Sequence, residues 1–92
     1  MITQQQIAEA IQAELREWPE SPREINSGNC DSFAMAFVLR LGGYKDGLQD
    51  NATPDPSDYA GHCWIEYEGR CYDAECPQGV DTWKELPIFS FN

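Results

Sequence analysis

The chain has 92 residues, with 16 acidic against 6 basic side chains and a formal net charge of −10. That length supports one domain with one modest core, and the acidic balance argues against holding DNA, RNA or an anionic membrane through a basic surface. No run reaches the ~18 apolar residues of a transmembrane helix, and the N-terminus lacks the basic start and apolar stretch of a secretory signal. The expected location is therefore cytoplasmic, where the four cysteines are free thiols.

Thr3 to Glu17 reads as an amphipathic helix. Thr3 and Gln6 have the spacing of a capping box, and Ile7, Ile11, Leu15 and Trp18 fall on one face. Pro19 ends it, since proline cannot continue the hydrogen-bond ladder. Glu20 to Gly28, with Pro22, reads as a connecting loop. A second helix begins at Asn29, where a side-chain oxygen can accept from the first-turn N–H groups. Cys30, Phe33, Ala34, Phe37, Val38 and Leu41 form its buried stripe, and Gly42-Gly43 stops it.

Tyr44 to Gly61 reads as a long polar loop of the kind often used as a lid or binding loop. Its aspartates do not follow the alternate-position pattern of an EF-hand. His62 to Tyr67 and Arg70 to Ala74 read as two aromatic-rich strands joined at Glu68-Gly69. With a two-residue loop, Tyr67 faces Arg70 and Trp64 faces Asp73. His62, Trp64, Glu66, Cys71, Asp73 and Glu75 then share one face. Cys63, Ile65, Tyr67, Tyr72 and Ala74 share the other. Pro77-Gln78-Gly79 reads as a turn, Asp81 to Leu86 as a short helical turn capped by Asp81, and Ile88 to Phe91 as a last strand. The expected fold is α+β, two helices packed on a small antiparallel sheet.

Cys30 stands in the first turn of its helix, where free N–H groups and the helix dipole favour the thiolate. His62, the only histidine of the chain, and Asp73 are diagonal neighbours on the hairpin face. A thiol at a helix start, an imidazole on a strand and a carboxylate on the next strand make a Cys–His–Asp triad. The histidine takes the thiol proton and returns it to the leaving group, while the aspartate fixes the tautomer and stabilises the charged ring. Trp64 and Tyr72 read as core or cleft-wall aromatics, with Trp64 the candidate for a substrate cleft between the Cys30 helix and the hairpin. Trp18 and Trp83 read as core anchors.

The runs Asn29-Cys30-Asp31-Ser32-Phe33-Ala34, Gly61-His62-Cys63-Trp64-Ile65 and Arg70-Cys71-Tyr72-Asp73 resemble the papain-like superfamily, especially its transglutaminase-like and small bacterial or phage members. The resemblance spans about Ser27 to Phe89 and rests on these three short motifs. It implies a minimal papain-like arrangement with Cys30 as nucleophile, His62 as base and Asp73 as orienter. The implied activity is that of a peptidase, deamidase or transglutaminase acting on a peptide or protein substrate, with no cofactor. The upstream glutamine of papain-type oxyanion holes is absent, so Asn26, Asn29 or backbone N–H groups near Cys30 take that place.

Two other readings stand beside this one. Cys63, Cys71 and Cys76 with His62 are zinc-type ligands, but the paired short spacings of zinc sites are missing, so no metal is expected. Cys71 and Cys76 pair only in an oxidising setting. The size and charge also suit a non-catalytic acidic binding protein, such as a phage-type inhibitor that blocks a basic host protein complex working on nucleic acid.

Overall fold

The computed structural model describes residues 2–44, 47–52 and 62–89. The fold is α+β. Helices α1 (Gln4–Leu15), α2 (Pro22–Gly28) and α3 (Cys30–Arg40) precede a four-stranded antiparallel sheet of β1 (Gln49–Ala52), β2 (Cys63–Tyr67), β3 (Arg70–Asp73) and β4 (Cys76–Val80). The strands lie side by side in chain order. Among the described residues no helix is long and apolar enough to cross a membrane.

Helix α1 starts as its capping box dictates. Thr3 Oγ1 accepts from the Gln6 N–H, and the Gln6 side chain accepts from the Thr3 N–H. Ile7 and Ile11 are fully buried, with Leu15 and Trp18 partly buried beside them. Glu14 is buried on the same helix, and its carboxylate accepts from Trp18 Nε1 and Arg40 Nε, each at 2.9 Å. Arg40 also pairs with Glu17, so the ends of α1 and α3 are clamped by charge-assisted bonds. Gly42 and Gly43 close α3 at φ of 100° and 101°, with the Gly43 N–H bonded to the Val38 carbonyl.

The segment before α3 is a helix rather than a loop. Ser21 and Glu24 form a second capping box, and Pro22 occupies the first helical position, where its missing N–H costs nothing. Proline marked the start of structure here, not an interruption. Asn29 does not cap α3 with its side chain. It has φ −128° and ψ 26° between the two helices, and its amide donates to Glu20 Oε2.

The hairpin follows the two-residue loop. Glu68 and Gly69 have φ of 49° and 79°, the positive pair that a type I′ turn needs. Ile65 therefore pairs with Tyr72, Glu66 with Cys71 and Tyr67 with Arg70. Each face of the sheet has its own core. Ile65, Tyr67, Tyr72 and Ala74 meet the apolar stripes of α1 and α3. On the opposite face Trp64, Cys71, Cys76 and Leu86 pack with Val80, Trp83 and Phe89.

The C-terminal part of the chain builds that second core and corrects three expectations. Pro77 to Gly79 lies within β4, where Arg70 bonds the carbonyls of Gln78 and Gly79 instead of leaving them to a free turn. A 3₁₀ turn at Trp83–Glu85 follows Thr82, not Asp81, whose carboxylate is paired with Arg70. Pro87–Phe89 is a second 3₁₀ turn, because the aromatic side chain of Phe89 is held over the sheet face; the rest of the expected last strand lies outside the described residues. Likewise, within the stretch expected to be one polar loop, Gln49–Ala52 is an edge strand pairing with β2. The lid expectation for residues 53–61 lies outside the described residues.

Gly79 has φ +82°, and a Cβ there would stand 2.5 Å from Cε2 of the buried Tyr72 ring. Gly79→Ala is therefore expected to cost more than the about 1–2 kcal/mol that a left-handed backbone alone imposes on an L residue. Gly69→Ala, with φ +79° and open space around its Cβ, is expected to show the backbone cost only. Denaturation midpoints of the two variants, compared side by side, check this.

Candidate active site

The site lies where the N-terminus of α3 meets the first residues of β2. The packing of α3 against β1 and β2 brings Cys30 to the strand backbone, and the Cys63 N–H donates to Cys30 Sγ at 3.3 Å. His62 precedes β2 and turns its side chain to the aromatic face of the sheet. There its Nε2 meets Asp73 Oδ2 at 3.0 Å, with both side chains almost fully buried. Its Nδ1 is the ring nitrogen left for the thiol. The buried Nδ1 makes no hydrogen bond of normal geometry, but the Cys30 sulfur is close enough for each group to shift the other's proton affinity.

The electrostatics favour a charged pair. Burial pushes the Cys30 thiol up, but the imidazole of His62 and the N–H of Cys63 outweigh it and hold the thiol below its ordinary value. Burial pushes His62 down, yet the Asp73 carboxylate and Cys30 raise it to about 9. The dipole of α3 acts on Cys30 in the same sense, since the residue stands in the first turn. The other three cysteines move the opposite way. Burial pushes Cys63 and Cys71 up to about 11 and raises Cys76 as well. Of the four thiols, Cys30 alone is held below its ordinary value.

Behind the histidine stands a run of polar contacts. Asp73 Oδ1 accepts from the Glu75 N–H at 3.0 Å, and Glu75 Oε1 accepts from Asn26 Nδ2 at 2.9 Å. Asn26, expected near an oxyanion hole, thus ties α2 to the turn that carries the carboxylate. The Asn29 amide donates to Glu20 at 3.2 Å. With both amides engaged by carboxylates and the Ser32 N–H taken by Asp31 Oδ1 at 2.8 Å, the remaining first-turn N–H groups of α3 are the donors placed for a developing oxyanion.

Trp64, expected in a substrate cleft, is 2% exposed and belongs to the second core instead. It stacks on Trp83 with ring centroids 5.4 Å apart, and Phe89 meets the His62 ring edge-on at 5.5 Å. These rings form an apolar wall beside the imidazole, which lowers the local polarity around its bond to Asp73. The hairpin register put Glu75 on the face of His62 and Asp73, but nothing in the sequence singled it out as the link to Asn26, and Trp83 and Phe89 had no signal that marked them for this place. Glu75 is one of many carboxylates, and the two rings reach the site through turns with no motif. Among the described residues, no group of three or more His, Cys, Asp or Glu side chains is arranged to hold a metal ion.

Compared with known proteins, the chain matches no family model, no curated protein and no solved structure.

Proposed function

We propose that the protein is a thiol-dependent hydrolase or acyl-transferase acting on an amide or related bond of a peptide or protein. The observation that carries this reading is the Cys30–His62–Asp73 constellation, in which one thiol of four is lowered by an imidazole that a buried carboxylate holds. The order of the three residues and the elements that bear them support a papain-like relationship.

In this reading the Cys30 thiolate attacks the carbonyl carbon, and charge develops on oxygen opposite the first-turn N–H groups of α3. His62 then delivers its Nδ1 proton to the leaving amine as the C–N bond breaks, giving a thioester. Water or an acceptor amine attacks the thioester while Nδ1 takes back a proton. Asp73 holds Nε2–H throughout, so the same ring edge always faces the sulfur. Water as acceptor gives cleavage or deamidation, and an amine gives transamidation.

The test is the pH dependence of Cys30 alkylation by iodoacetamide, with modified sites located by peptide mass mapping. Cys30 is expected to react with a midpoint well below the free-thiol value of about 8.5. Cys71 and Cys76, raised by burial, serve as slow internal references. His62→Ala is expected to return Cys30 to the ordinary range or above. A wild-type Cys30 that titrates with the other three rejects the catalytic reading and favours the acidic binding protein, whose partner contacts weaken steeply with salt.

A further inference from the structure

Among the described residues, Cys63 is, besides His62, the titratable side chain that shifts Cys30, and the proposed reaction does not use it. We propose that Cys63 is a resolving thiol, so that a peroxide converts Cys30 and Cys63 into a reversible disulfide that switches the site off. This rests on the reading of Cys30 as a reactive thiolate.

The geometry supports the pairing. Cys30 Sγ lies 3.3 Å from the Cys63 backbone nitrogen, hence within about 5 Å of its Cα, a separation compatible with a disulfide. Each thiol is close enough to shift the other's pKa, and both are half-exposed, so a small oxidant can reach them. The two residues are 33 positions apart but sit on α3 and β2, which already pack together. Bridging them therefore joins two elements that are already in contact. Cys71 and Cys76 are buried on the opposite face of the sheet, away from this pair.

The chemistry balances with hydrogen peroxide as oxidant. The Cys30 thiolate attacks one peroxide oxygen, the O–O bond breaks, and sulfenic acid forms as hydroxide leaves and is protonated to water. The sulfur loses two electrons and the peroxide gains them. Cys63 sulfur then attacks Cys30 sulfur, forming S–S and breaking S–O. The departing hydroxide leaves as water with the proton that Cys63 gives up. The sequence is self-timing. After burial, the negative Cys30 is the main influence that keeps Cys63 protonated. Oxidation to the neutral sulfenic acid removes that influence just when Cys63 must act.

The experiment treats freshly reduced protein with hydrogen peroxide, blocks remaining thiols with N-ethylmaleimide, and maps non-reduced peptides by mass spectrometry. The expected product is a Cys30–Cys63 linked peptide lacking two hydrogens, with Cys71 and Cys76 still blocked by maleimide. Dithiothreitol should reverse it and restore Cys30 alkylation. In Cys63→Ser, peroxide should leave a Cys30 sulfenic acid that dimedone traps and that longer exposure carries to sulfinic acid. Sulfinic acid at Cys30 of the wild type without a cross-link overturns the proposal, as does a Cys71–Cys76 bridge in its place. The two possible failures are separable. A lowered Cys30 titration without the cross-link removes only the resolving role, whereas an ordinary titration removes the nucleophile itself.

Discussion

Asp73→Ala is expected to destabilise the protein by about 3 kcal/mol and to return the Cys30 thiol to the ordinary range. The carboxylate and the imidazole are both almost wholly buried at 3.0 Å. Removing one member of such a pair leaves the other to lose its charge or bear it alone, typically at a cost of about 3–5 kcal/mol. Asp73 is the largest of the influences that raise His62 from 6.5 to about 9. Asp73→Asn keeps the shape and removes the charge, so it separates electrostatics from packing. Urea midpoints and Cys30 alkylation measured on both variants check the prediction. An unchanged midpoint with unchanged alkylation would mean that the carboxylate neither supports nor orients the ring.

The same pair sets a pH dependence whose sign can be worked out. The folded protein keeps the His62 proton up to about pH 9, whereas the unfolded chain releases it near 6.5. That contribution is therefore full below about 6.5 and is lost as the pH rises towards 9. Cys30 runs the other way. Its folded value is lowered, so its contribution is present at high pH and is lost as the pH falls through that value. The two partly cancel in the wild type. Cys30→Ala removes the opposing half together with the Cys30 share of the His62 shift, so its stability should decline more steeply just above pH 6.5 than that of the wild type, over a window that closes before 9.

Trp64→Ala is expected to cost about 3–5 kcal/mol, as for other large aromatic truncations in a core. For a domain of this size that lowers the melting temperature by roughly 15–25 °C. Trp64 is 2% exposed and is the central ring of the second core, in contact with Trp83, Phe89 and the His62 ring. Trp83→Ala should cost less, since Trp83 is only partly buried, but it should lose the same stacking contact, worth about 0.5–1.5 kcal/mol. Thermal unfolding followed by near-ultraviolet circular dichroism reads both effects, because the stacked indoles dominate that signal. Equal losses in the two variants would place the centre of this core elsewhere.

Much of this protein was determined by local sequence. The Thr3–Gln6 box, the stripe from Phe33 to Val38, the Gly42-Gly43 stop and the Glu68-Gly69 turn each act within a few residues, and each formed as local physics dictates. The turn fixed the hairpin register, and the register placed His62 diagonal to Asp73 on one face. The proximity of the third group, Cys30, follows from no local rule and is realised by the packing of α3 on β1 and β2.

What only the tertiary structure decided lies where long-range contacts overrode local signals. Pro77-Gln78-Gly79 has turn composition but was drawn into β4 by Arg70, which supplies donors to its carbonyls. Phe89 has strand neighbours in sequence, yet burying its ring against Trp83, Trp64 and His62 set a 3₁₀ turn. Asn26 was drawn to Glu75 and Asn29 to Glu20, partners 49 and 9 positions away. An amide's short-range capping preference is weak beside a bond to a carboxylate across the fold. The same reason kept the Cys30–Cys63 pairing hidden. Adjacent strand residues point to opposite faces, and only the docking of a helix end onto the strand backbone lets one sulfur meet both His62 and Cys63.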